Sequence, residues 1–163
     1  MKTKIYLLFI TTLFFCAGCG NKSGGQKQES VSAAKDTYVN PLFPEGADPS
    51  ALFHNGKYYY THGTEDKIML WETSDITDMA HAVCKIVWQP QDPSNSCHLW
   101  APEIHYLFGG WYIYYAAGDK DDIWNIRPYV LHCKGQNPMK DEWEELGMMQ
   151  AADSDEFSFH AFS

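Results

Sequence analysis

Residues 99–118 read LWAPEIHYLFGGWYIYYAAG: a Trp-Ala-Pro corner, a carboxylate, an apolar run, a Phe-Gly-Gly break and a second aromatic run. The same order stands 53 residues earlier, where residues 47–63 read ADPSALFHNGKYYYTHG. Sliding one segment onto the other without a gap puts Pro49 on Pro102, Gly56 on Gly109, Tyr58 on Trp111 and Tyr59 on Tyr112. Short aromatic and β-branched blocks broken by Asn-Gly or Gly-Gly read as hairpin strands rather than helices. Beyond the hairpins, IMLWETS and CKIVW complete the first unit, and PYVLHC and EWEELG complete the second.

Four short antiparallel strands per repeat predict an all-β chain, a β-propeller built of four-stranded antiparallel blades. Blade 1 is expected over about 48–98, blade 2 over about 99–150 and the start of a third over about 157–163. A β-sandwich is the alternative architecture. The aromatics of WYIYYAA are expected to pack between blades. Each unit opens on a small polar corner ahead of its first strand, Ala47-Asp48-Pro49-Ser50 in one and Trp100-Ala101-Pro102-Glu103 in the other. In a propeller the first strand of a blade lines the central channel, so these corners should converge on one mouth.

Composition supports one folded domain: 163 residues, 45% hydrophobic and 15% aromatic, is enough to bury a core and is not a disordered composition. A formal charge of −9 argues against a nucleic-acid partner and suits neutral ligands such as sugars. The first residues, MKTKIYLLFITTLFFCAGCG, combine Lys2 and Lys4, an apolar run from Ile5 to Phe15 and small residues before Cys19. That is the layout of a secretory signal. Ala17-Gly18-Cys19 resembles a bacterial lipobox, with Cys16 departing from the usual Leu, and predicts a lipoprotein signal over 1–18 lipidated at Cys19. Residues 19–36 are polar and Gly/Ser-rich, a flexible tether to a domain over 37–163. The expected location is exported: an outer-membrane or surface lipoprotein, or periplasmic, touching the membrane only through the lipid anchor.

Cys84, Cys97 and Cys133 form no Cys-x-x-Cys pair, so a zinc site is not expected. A disulfide between two of them is compatible with export, and at least one should be a buried thiol. His54, His62, His81, His98, His105 and His132 lack the spacing of a helical metal motif, and no metal is predicted.

The stretches NPLFPEGADPSALFHNGKYYY (40–60) and LWAPEIHYLFGGWYIYYAA (99–117) together resemble glycoside hydrolase family 43, and DDIWNIRPYVLHCKGQNPMKDEW (121–143) is similar to its arabinofuranosidase-type members. The resemblance implies a five-bladed propeller acting on arabinose- or xylose-containing plant polysaccharides and oligosaccharides by inversion. It implies three carboxyl residues: a base Asp in the first blade, an Asp opening the third blade that tunes the acid, and a later Glu that protonates the leaving oxygen. Only the base carries over directly, onto Asp48; the bland reading of Asp48 is a turn cap before Pro49. Trp100 is implied as a wall for a sugar face, with a buried core Trp as its alternative, and Glu103 as a substrate-pocket or supporting residue outside the catalytic three.

The chain departs from that pattern at Phe157-Ser158-Phe159-His160-Ala161-Phe162, where His160 stands in place of the tuning Asp. About two blades of the expected five are present, and no Glu can be assigned as the acid. The expectation is the N-terminal part of such an enzyme, shortened near residue 157, an exo-acting α-L-arabinofuranosidase in type, with the activity of the shortened chain alone left open. A β-xylosidase or endo-arabinanase of the same family, or a non-catalytic carbohydrate-binding lipoprotein, is the alternative. Acid and base hydrolysis calls for no cofactor.

Overall fold

The structure, a computed structural model, describes Tyr38 and residues 40–150. The signal, Cys19, the tether and the segment containing His160 lie outside the described residues. Eight strands form two four-stranded antiparallel sheets, each in simple meander order. The first sheet holds β1 (Ala47–His54), β2 (Lys57–Gly63), β3 (Ile68–Thr73) and β4 (Val83–Trp88). The second holds β5 (Cys97–Leu107), β6 (Gly110–Gly118), β7 (Arg127–Cys133) and β8 (Trp143–Met148). These are two blades of a β-propeller.

The repeat extends to single residues of the backbone. In β1–β2, Ala47 pairs with Gly63, Ser50 with Thr61 and His54 with Lys57; in β5–β6, Trp100 pairs with Ala116, Glu103 with Tyr114 and Leu107 with Gly110. Every one of these pairs maps onto its counterpart by the same 53-residue step. Both hairpins close on two residues of positive φ, Asn55 (50°) and Gly56 (80°) in one, Phe108 (52°) and Gly109 (81°) in the other. That is the type I′ turn, whose twist matches the twist of the flanking strands. Asn and Gly suit it; Phe108 does not, and its side chain is fully exposed at the tip.

The corners expected ahead of the first strands lie inside them. The pairing skips between Ala47 and Ser50, and again between Trp100 and Glu103, so Asp48-Pro49 and Ala101-Pro102 are bulges. Proline explains the correction: it has no N–H for the ladder, and a bulge is one of the few places in a sheet that does not need one. Asp48 (φ 50°) and Ala101 (φ 45°) occupy the same left-handed position of the two bulges.

The sheets stack face to face. Tyr59, Ile68, Leu70 and Val87 of the first sheet share one core with Ile104, Trp111, Ile113 and Leu131 of the second. Strand alternation puts the odd residues 111, 113 and 115 into this core, and it leaves Tyr112 and Tyr114 half-buried on the far face. Trp111 is the pin. It is 1% exposed, its ring lies 4.5 Å from that of Tyr59, and its Nε1 donates to the Gln136 carbonyl at 3.1 Å. Near the channel the inner strands are joined by the Ile104 amide, which donates to Ser50 Oγ at 3.3 Å. Cys84, Cys97 and Cys133 are free thiols, Cys133 the buried one.

Candidate active site

Gly63 marks where the two bulges meet. It ends β2, and a Cβ built there would lie 3.6 Å from the Ala47 carbonyl oxygen, 3.8 Å from that of Leu99 and 4.0 Å from the Ala101 nitrogen. The backbone just before Asp48 and on either side of Trp100 therefore converges on one point, the mouth expected from the repeat. Asp48 is exposed and its carboxylate has no hydrogen-bond partner among the described residues, so it caps no turn there. A carboxylate held on a rigid strand bulge with free lone pairs can accept a proton from a water.

What supports the Asp48 bulge is a buried histidine. Gly46 (φ 133°) lies so close over His62 that a Cβ at Gly46 would come to 2.7 Å from the ring. His62 is 5% exposed, stacks on Trp71 at 4.6 Å and 28°, and its Nδ1 sits 3.2 Å from Tyr60 Oη. Burial holds its imidazole below the ordinary histidine range, with the Glu45 carboxylate pulling weakly the other way. Beside it Phe43, Glu45, Gly46, Pro49, Ser50 and Tyr60 help line a cavity of about 450 Å³, within the usual range for small-ligand pockets.

On the other side of the mouth Trp100 is half-buried, and its indole Nε1 donates to Glu65 Oε1 at 3.0 Å. The other oxygen of Glu65 lies 3.3 Å from His98 Nδ1. Glu65 comes from the turn after β2, placed by a bridge to Leu99 whose amide donates to the Glu65 carbonyl at 3.2 Å. Glu65 (φ 69°) and His98 (φ 53°) are both left-handed, as is Ala101. Three such non-glycine residues within one turn of the mouth store strain of about 1–3 kcal/mol each, a feature that clusters at functional sites.

Glu103 does not join this group. Its carboxylate meets His105 Nε2 at 3.2 Å on the exposed face of β5, three residues beyond Trp100. Sequence reasoning missed Glu65, His98 and Trp124. Glu65 sits in a polar turn with no counterpart in the repeat, so nothing marked it. Trp124 did carry a signal: a large aromatic isolated in the acidic loop DKDDIWN has no strand neighbour to pack on. Among the described residues no three His, Cys, Asp or Glu side chains are placed to hold a metal ion.

The two meander blades and their paired bulges define a β-propeller. The sequence profile described as glycosyl hydrolases family 43 matches residues 38–162, and the chain belongs to that family. It is 38% identical over 117 residues to an extracellular exo-α-(1→5)-L-arabinofuranosidase of Streptomyces avermitilis, covering 69% of this chain and 24% of that protein. It is 37% identical over 128 residues to α-L-arabinofuranosidase 43 of Humicola insolens, covering 76% and 26%. The crystal structure of α-L-arabinofuranosidase from Lactobacillus brevis superposes with a TM-score of 0.63 at 33% identity, over 71% of this chain and 39% of that one. The chain thus spans about a quarter of the length of these two curated relatives.

Proposed function

We propose that the chain supplies the first-blade part of an exo-acting α-L-arabinofuranosidase that releases terminal arabinofuranosyl residues from plant-type oligosaccharides and polysaccharides with inversion. The observation that carries the reading is Asp48, a carboxylate without a partner among the described residues, fixed on a bulge that meets the Trp100 corner at Gly63. The arabinofuranosidase names of the relatives support the substrate class. In this reading Asp48 takes a proton from the water attacking the anomeric carbon, and the acid acts from the opposite side of the sugar, far enough away to leave room for that water. No Glu of the described residues is assigned the acid role. Trp100, oriented by Glu65, offers an apolar face to the sugar ring.

Export fits the basic and apolar start of the chain and the extracellular names of relatives. Lipidation at Cys19 and a tether over 19–36 would leave the blades free in solution beside the membrane. The test is the first-formed sugar released from an aryl α-L-arabinofuranoside, followed by proton NMR, with an aryl β-D-xyloside run in parallel. Inverted arabinose from the first substrate agrees with the proposal. Retention of configuration, or turnover of the xyloside alone, overturns it.

A further inference from the structure

Trp124 is the most conspicuous unused residue of the mouth. The loop between β6 and β7 folds back so tightly that a Cβ on Gly118 would overlap the Ile123 carbonyl oxygen. Gly118 pairs with Cys97, so the fold-back delivers the next residue, Trp124, against His98. The two rings stack at 5.1 Å and 27°, and Trp124 lies 6.2 Å from Trp100. His98 in turn stands 4.4 Å from Trp100. The three rings form a compact triangle beside the bulge, and its most exposed member is Trp124, at 70%. An exposed Trp of this kind offers a large apolar face to water at a site where the rest of the surface is acidic.

The cluster has its own support. Glu65 fixes Trp100 and His98 together, and the left-handed backbone at Glu65 and His98 is the strain that support costs. His98 spends Nδ1 on that carboxylate, which leaves its ring face for Trp124 and its buried Nε2 with no partner among the described residues. The charge around the platform is negative: Glu65 on one side and Asp119, Asp121 and Asp122 in the Trp124 loop on the other, against Lys120 alone in that stretch. A ligand stacked here is apolar on one face and uncharged, because a carboxylate ligand would meet Glu65 beside the platform and a loop whose sequence is net acidic.

We infer that Trp124, stacked on His98, is a binding platform for the second sugar of a neutral pentose oligosaccharide whose terminal sugar sits at Trp100. This rests on the proposed reading of the mouth and extends it from the cleaved sugar to the part that follows. The experiment titrates arabinohexaose into the full chain in an Asp48→Asn background, so that no ligand is consumed, and reads affinity calorimetrically. Trp124→Ala weakens binding about five- to tenfold, Trp124→Phe recovers part of it, and Phe108→Ala, which removes an exposed ring at the far end of β5, changes nothing.

Equal affinity in Trp124→Ala, no binding at all, or equally tight binding of an oligogalacturonide would overturn the platform. The two readings fail separately. Asp48-dependent turnover of an aryl arabinofuranoside together with Trp124-independent binding removes the platform and leaves the enzyme. Trp124-dependent binding with no turnover of any aryl furanoside leaves the platform and removes the enzyme.

Discussion

Gly118→Ala is the substitution whose consequence the geometry defines most sharply. The added methyl would overlap the Ile123 carbonyl oxygen and come to 3.1 Å from its carbonyl carbon and 3.5 Å from its Cα. Gly118 lies in β6, paired with Cys97 and fixed by the ladder, so the loop must yield. Restoring ordinary contact requires a displacement of about 1 Å, because a non-bonded pair is comfortable only near 3.5 Å. Overpacking of this size costs about 1–3 kcal/mol.

The six tryptophans give a local readout of that shift. Their indole N–H resonances report separately: Trp111 and Trp143 donate to the carbonyls of Gln136 and Pro138, and Trp100 donates to Glu65. In Gly118→Ala the Trp124 resonance, assigned from its loss in Trp124→Phe, moves. Trp100, whose ring lies 6.2 Å away, moves less, and Trp111 and Trp143 hold their positions. An unmoved Trp124 would refute the fold-back geometry, and equal shifts of all six would show that the substitution disturbs the whole fold instead of the loop.

Trp111→Ala should destabilise the chain by about 3–5 kcal/mol in urea unfolding, a large part of a typical domain's stability, since it empties the main contact between the sheets. A biphasic melt in the wild type would show instead that the sheets unfold independently. Phe108→Asn, which gives the second hairpin the residue the first already has, should stabilise by about 0.5–1 kcal/mol, since Asn tolerates left-handed backbone and no side-chain packing is lost; a lowered melting temperature would refute the turn assignment. Burial, reinforced by the Glu72 carboxylate, pushes the Tyr59 phenol up from its ordinary 10.0 to about 12. A raised pKa means that its contribution is intact below pH 10 and lost as pH rises towards 12. Stability should therefore fall over that window, and Tyr59→Phe should flatten the fall. At the acid end the lowered pKa of His62 works in the opposite sense, so the melting temperature should drop as pH falls below about 6.5, less so in His62→Phe.

The repeat was legible in the sequence because the features that define it are local. Asn-Gly and Phe-Gly-Gly specify turns, alternation specifies faces, and a constant 53-residue step then fixes pairing, bulge and turn together. The bulge itself was not legible as such: Asp-Pro and Ala-Pro read as corners, and only the partner strand shows that β1 and β5 continue through them. The repeat placed the corner of Asp48 at the mouth and the family resemblance singled out Asp48 itself, whereas the surroundings of Trp100 could not be read. Glu65 reaches Trp100 across 35 positions of chain, and Trp124 reaches His98 because Gly118 lets a loop close on itself. Contacts made by loops across blades leave no periodic trace. Glu103 shows the converse, since its position after Trp-Ala-Pro drew attention to it while its carboxylate is engaged with His105.

The central claim is that Asp48 acts as a base on water at this mouth, and it can be tested without a general acid. A dinitrophenyl α-L-arabinofuranoside departs as a stable phenolate that needs no proton, so turnover depends on the activation of water alone. The account predicts slow hydrolysis by the chain that falls by about 10²–10⁴ in Asp48→Asn. Hydrolysis that is unchanged in Asp48→Asn, or no hydrolysis above the uncatalysed rate in the wild type, would contradict it.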